Sequence, residues 1–500
     1  MMRGTTRGTA GGLAVIAILA VGTSLLVSWK MRSDANHLRA LLTAEIDRGS
    51  LVGLGRAQAI GRRVVLADST DPESAALLAY AGALLATEFG QGTINEAESA
   101  AALAEQDGAV GTSPVAPVAA AARALVALRK GDTARALALA TAAAAASSDG
   151  PHARGALGRV RAASGDLVGA SHALEAAMVE APDFLPATLA WAEVRLDLGD
   201  AAAAQAVLVP VVARAPEDIR ARFLLEEAAR AVATSPGPTP PANAALEATC
   251  ATNGALTPYV VAGCGLAWSA RARLAGDHLR ASTQAQAAAR VAPDEPRMLA
   301  RAAQILAQQG LVDRAEALLA RAARFATMDA PQLAWARLAI TLGHGRAATA
   351  PPGLRPINAD TRVLAARAAF AVGGAGALAT TLDGFGADVV AADADLRLLK
   401  ALVAPVEPKL PTPPPASSGL ARGKPSAAQQ YVDGLRARLA GDSLLAAEHL
   451  SHALSGHADA CRAAGEYVAA LRALKRQPDA ASFNTLRADD SGCVDLPPAR

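Results

Sequence analysis

The sequence predicts an all-α protein, an N-terminal transmembrane helix followed by a solenoid of stacked helical hairpins. Three observations carry that reading. Ala makes up about a quarter of the 500 residues, while Phe, Trp and Tyr together reach only 3%. Ala is the best helix former, and helices faced with it approach closely, so a core can form without large aromatic anchors. Gly-Asp pairs recur at a fixed interval through the middle of the chain, and an uncharged apolar run stands near its start.

The apolar run, Gly8 to Trp29, is 22 residues without a charge. As a helix it spans roughly 33 Å, enough for a hydrocarbon core of about 30 Å. Arg3 and Arg7 precede it, and Trp29, Lys30 and Arg32 follow at interfacial positions. A cleaved signal peptide competes, with Ala20, Val21 and Gly22 as a small-x-small site, yet the apolar stretch continues to Val27. The expectation is therefore an uncleaved single-pass anchor within residues 1–33. Lys30, Arg32, Arg39 and Arg48 would, by count, hold the large domain in the cytoplasm. Long domains translocate largely regardless of charge, and the cysteines argue for an oxidising compartment, so a periplasmic domain is expected.

The repeats follow. Gly131-Asp132, Gly165-Asp166 and Gly199-Asp200 are 34 apart, as are Gly276 and Gly310, and Gly441-Asp442 opens a similar unit. Five residues after each Gly stands Ala136, Ala170, Ala204, Ala281, Ala315 or Ala446. Twelve after come Ala143, Ala177, Val211, Ala288, Ala322 and Ala453, and seven before come Ala124, Gly158, Ala192, Ser269, Ala303 and Gly434. Pro182, Pro216 and Pro293 close three units. Gly stops one helix in the left-handed conformation, Asp caps the next, small residues let the two cross closely, and Pro ends the second.

At these residues the chain resembles the tetratricopeptide repeat (TPR) family, whose unit is a 34-residue helix–turn–helix. The matching phases cover about 117–326 with one interruption, plus 427–460. Weaker units are readable at 38–72, 75–109, 361–400 and 459–493. The family's aromatic positions in the first helix are mostly empty here, with Trp191 and Trp268 offering the large rings. The domains expected are a solenoid over 34–403, interrupted at 235–243 and 344–358, a Pro-rich linker at 404–425, and a helical module at 426–500. The resemblance implies that the inward face of each first helix binds a protein partner. In this register that face holds Arg159, Glu193, Asp197, Arg273, Arg297, Gln304, Tyr431 and Arg438, whose mixed signs suit a protein better than a polyanion.

The chemistry is sparse. Lys+Arg number 48 against 46 Asp+Glu, a net charge of +2 that gives no reason to expect nucleic acid. No H-E-x-x-H, Walker-type loop or G-x-S-x-G occurs, and Gly374-Ala375-Gly376 follows a predicted helix where a dinucleotide site needs a strand. No cofactor, no enzymatic activity and no small-molecule substrate are expected. His449, His452 and His457 lie near Cys461, a spacing that could assemble a transition metal but more often marks a solvated helix face. Cys250, Cys264, Cys461 and Cys493 allow three disulfide pairings. Hairpin geometry lets Cys461 meet Cys493 and Cys250 meet Cys264, with four reduced thiols in a cytosolic protein as the alternative.

The expected function is a membrane-anchored, non-catalytic scaffold for protein–protein interactions in assembly of a bacterial envelope complex. Secretion, pilus or motility machinery and outer-membrane or cell-wall assembly are the candidate settings. The alternatives are a metal-binding regulator or repeat-bearing enzyme centred on the histidines, and a soluble periplasmic protein after signal cleavage.

Overall fold

The computed structural model describes residues 36–474 apart from 69–70, 93, 108–114, 147–149, 233–249, 251–256, 275–277, 357, 404–426, 440, 456–465, 468–469 and 472. The N-terminal apolar run, the 235–243 interruption, the Pro-rich linker, His457, Cys461 and Cys493 lie outside the described residues. Every regular element among those described is helical. In chain order they are α1 (36–48), α2 (Leu51–Ala67), α3 (Pro72–Phe89), α4 (Ile94–Asp107), α5 (Val115–Arg129), α6 (Thr133–Ala146) and α7 (Pro151–Ala163). There follow α8 (Leu167–Glu180), α9 (Leu185–Asp197), α10 (Ala201–Arg214), α11 (Ile219–Val232), α12 (Pro258–Leu274), α13 (His278–Val291) and α14 (Pro296–Gln308). The rest are α15 (Val312–Ala322), α16 (Pro331–Gly343), α17 (Ala359–Phe385), α18 (Ala387–Ala392), α19 (Ala394–Val403), α20 (Ala427–Leu439) and α21 (Ser443–Ser455).

Packing follows the hairpin plan. Each first helix lies against its own second helix (α5 on α6, α7 on α8, α9 on α10, α14 on α15, α20 on α21), and first helices stack in the series α3, α5, α7, α9 and α11. The hinges are uniform. Gly131, Gly165, Gly199, Gly310 and Gly441 all take φ between 81° and 91°. At each, the next residue's N–H donates to the carbonyl five back, as in Asp132 to Ala127 at 3.0 Å and Asp166 to Arg161 at 2.9 Å. That bond satisfies a carbonyl the helix end would otherwise orphan. Asp132, Asp166, Asp200 and Asp442 then cap the next helix, each Oδ1 accepting from the N–H three residues on at 2.9–3.1 Å.

The small residues sit at the crossings. Ala136, Ala170, Ala204, Ala281, Ala315 and Ala446 are all fully buried. At Gly158 and Gly434 a Cβ would overlap the side chains of Leu174 and Leu450 from the partner helix, so these crossings admit nothing larger than Gly. Ser269 takes the same position and donates its hydroxyl to the Ala281 carbonyl at 2.6 Å. A small residue on one helix facing a large one on its partner keeps the crossing close-packed.

The carboxy-terminal part departs from the repeat plan. Gly345, with φ 76°, ends α16 by the same hinge bond, Arg346 N–H to Thr341 O at 3.1 Å. The following 346–356, rich in Pro, is non-helical where a second helix would come. Among the described residues one helix, Asp360–Phe385, is long and apolar enough to cross a membrane. Gly374, at φ 65° and ψ −157°, breaks it into two arms, and Val363, Ala366, Leu378 and Leu382 are buried in a core with α19, α20 and α21.

Candidate functional site

The inward face of the array is covered by the array itself. Thr327 donates both its N–H (3.2 Å) and its hydroxyl (3.1 Å) to the Ala163 carbonyl, 164 residues earlier. The Arg129 guanidinium lies 3.8 Å over the Phe325 ring, and the Gly131 hinge abuts the Arg324 carbonyl so closely that a Cβ would overlap it. Residues about 293–332 therefore occupy the concavity formed by α3, α5, α7, α9 and α11.

Charged side chains line this contact and some of them meet across it. Glu88 is gripped between Arg159 and Arg220, and Arg220 also holds Glu193 at 2.8 Å. Asp197 accepts from Arg297 at 3.3 Å and from Gln332. Glu227 takes Arg301 at 3.1 Å and Arg297 at 3.6 Å. Burial opposes ionisation of Glu227, but Arg301, Arg297 and Arg230 overcome it and hold the carboxyl down at about 2. Asp197 moves the other way, to about 6, because burial with Glu227 and Glu193 nearby outweighs Arg297. Buried ion pairs of this kind roughly balance desolvation against attraction, so they fix which surfaces meet more than they add stability.

These side chains enclose a cavity of about 180 Å³. Its wall carries six arginines and six carboxylates, including Arg159, Glu193, Asp197 and Arg297, over an apolar lining that includes Phe223, Leu266 and Met298. Gln304 lines a smaller neighbouring cavity with Trp335. Arg273 lies elsewhere, 1% exposed and ringed by Asp360, Asp393 and Asp395. Tyr431 and Arg438 are buried on α20, where Arg438 pairs with Glu466. Of the eight inward residues only Glu193, Asp197 and Arg297 keep partial exposure, at 22, 13 and 18% of the side chain. His449 bonds Gln430 at 2.7 Å, and no group of three or more His, Cys, Asp or Glu among the described residues is placed to hold a metal ion. Cys250 and Cys264 form a disulfide.

The partners in this ladder that sequence reasoning missed had a signal. Glu227 and Arg220 stand six and thirteen residues before Ala233, which is 34 after Gly199 and so occupies a hinge position without the Gly. Arg159, Glu193 and Gln304 share the first of those phases, and Arg297 the second. Arg129 and Asp197 likewise stand two before their hinges.

No family model and no curated protein matches the chain. Solved structures similar to it include Naa15/Naa10 bound to HypK, at 11% identity over 92% of this chain and 69% of that one, with a TM-score of 0.28. The TPR domain of P58(IPK) gives 12%, 80%, 89% and 0.18 in the same order, and yeast Tom70 gives 11%, 96%, 98% and 0.27. The chain's own hinges, caps and stacking make it an α-solenoid of TPR-like hairpins.

Proposed function

We propose that the chain is a membrane-anchored, non-catalytic scaffold that binds other proteins during assembly of a bacterial envelope complex. The single observation that carries the reading is the division of labour between the two faces. The inner face is occupied by the chain's own ion pairs, whereas apolar side chains stand outward on second helices. Val168 and Val179, eleven residues apart on one face of α8, are 60 and 82% exposed. Outward apolar positions on a rigid array suit a partner surface. Glu193, Asp197 and Arg297 are the inward residues a partner still reaches. The apolar run 8–29 supplies the anchor, and the Cys250–Cys264 disulfide favours an exported domain over a cytosolic one.

The test is a topology reporter fused after residue 500, combined with crosslinking pull-down of wild-type and Val168→Asp/Val179→Asp protein from solubilised membranes. A periplasmic signal and an envelope-complex component lost from the double variant are expected. A cytoplasmic signal, or recovery of no envelope protein, overturns the proposal.

A further inference from the structure

The central cavity is larger than the roughly 150 Å³ engineered apolar cavity that takes up benzene. Its charges are unevenly satisfied. Five of the six carboxylates hold arginines in ion pairs. The sixth, Glu295, caps α14 and accepts from the N–H groups of Arg297 (3.0 Å) and Met298 (2.8 Å), with no arginine in ion-pair reach among the described residues. On the cationic side the loosest pairings are those of Arg230, 3.6 Å from Glu226, and of Arg129. The Arg129 Nη2 stands 3.8 Å from Asp294, whose other oxygen is bonded by Arg321 at 2.5 Å, and its Nε and Nη1 have no hydrogen-bond partner among the described residues. Neither Arg129 nor Glu295 is closed off by a short ion pair among the described residues, and both line the same cavity.

We propose that this cavity binds a small zwitterion, an α-amino acid with an apolar side chain, its carboxylate on Arg129 and its ammonium on Glu295. The apolar lining, with Phe223, Leu266 and Met298, would take the side chain. A lone anion answers Arg129 but faces Glu295 and Glu193, and a lone cation does the reverse. A ligand neutral overall and charged at both ends answers both, and leaves the balance of the wall intact. The direction of titration agrees. Burial and the neighbouring Glu193 push the Glu295 carboxyl up to about 7, and burial depresses Arg129, so each gains from an opposite charge brought in. This site is independent of the scaffold reading, and it runs against the expectation from sequence that no small molecule is bound.

The experiment is calorimetry and thermal unfolding of the full chain in detergent with L-leucine and L-phenylalanine. Isovalerate and isopentylamine serve as probes carrying one charge each. The amino acids should bind at millimolar concentration or tighter and raise the unfolding temperature, and the single-charge probes should not. Glu295→Gln and Arg129→Gln should each weaken binding about ten- to a hundredfold. Filling the cavity with Ala267→Leu should abolish binding with both charges in place. No heat and no thermal shift with either amino acid, or equal binding of a single-charge probe, overturns the proposal on wild-type protein alone, whatever the variants' folding.

Discussion

Arg273, the penultimate residue of α12, donates to Asp395 Oδ2 at 3.0 Å across 122 residues of sequence. The same guanidinium meets Asp393 at 3.3 Å and also Asp360, so one cation ties α12 to the starts of α17 and α19. Removing it takes a shared counter-ion from three buried carboxylates. Arg273→Met should cost about 3–5 kcal/mol in urea unfolding. Arg273→Lys should recover only part of that, because a compact ammonium cannot fork to three acceptors. Proteolysis should then cut first within 359–403. A loss under 1 kcal/mol with unchanged cleavage would contradict this arrangement.

Gly131 and Gly441 share a backbone conformation and differ in surroundings. Both have φ above 80°, so Ala costs about 1–2 kcal/mol at either hinge. At Gly441 a Cβ meets nothing among the described residues within 4 Å, whereas at Gly131 it would overlap the Arg324 carbonyl. Gly131→Ala should therefore be clearly the more destabilising of the two in thermal unfolding. Equal effects would mean that residues near 324 do not close over the first hairpins.

The hairpins were legible because hinge, cap and crossing each demand one residue type at one phase, and 34-residue spacing repeats the demand. The inward face was legible as a set of positions, since helical phase fixes which residues share a side. Its state was not. Whether Arg159, Glu193 and Asp197 meet solvent depends on superhelical curvature, which brings Thr327 onto Ala163 from 164 residues away. That curvature sums small angles at every hairpin, and no local motif records the sum. The break at Gly374 falls one residue from Gly373, the hinge glycine read for the weak 361–400 unit, and helix continues immediately on both sides of it.

Stability should fall as pH rises from about 5 to 7.5, the reverse of ordinary acid sensitivity. Burial raises Asp47 (with Asp183 adding) to about 6, Asp197 to about 6 and Glu295 to about 7. Each binds a proton in the folded state at pH values where the unfolded chain has lost it. Their contribution is therefore present at low pH and lost as pH climbs through the folded value, at about 1.4 kcal/mol per pH unit inside each window. Buried His152, depressed to about 4, has the opposite slope between about 4 and 6.5, but it is one group against three. Below about pH 4.5 the unfolded chain takes up protons that the paired carboxylates, Glu227 among them, still refuse, so stability falls again. Thermal unfolding across this range should show a maximum near pH 5. Glu295→Gln should flatten the limb between about 6 and 7.5, and an unchanged limb would mean that Glu295 is ionised throughout.

The disulfide gives the last prediction. Cys250 and Cys264, fourteen apart in sequence with Cα atoms at 5.9 Å, close a small loop ahead of and into α12. Cys264 is buried, and its neighbour Gly263 packs so tightly on Phe223 of α11 that a Cβ there would overlap the ring. The bridge therefore holds the chain at the point where the 34-residue register is interrupted between α11 and α12. Closing a loop of this size contributes about 3 kcal/mol, chiefly by restricting the unfolded chain. Dithiothreitol, or Cys250→Ser, should lower the unfolding temperature by a few degrees. Because Phe223 and Leu266 line the central cavity, either change should also weaken any ligand held there. The variant should no longer respond to reductant. If it still does, another pair of cysteines carries the effect, and the 250–264 bridge is not what fixes α12 against α11.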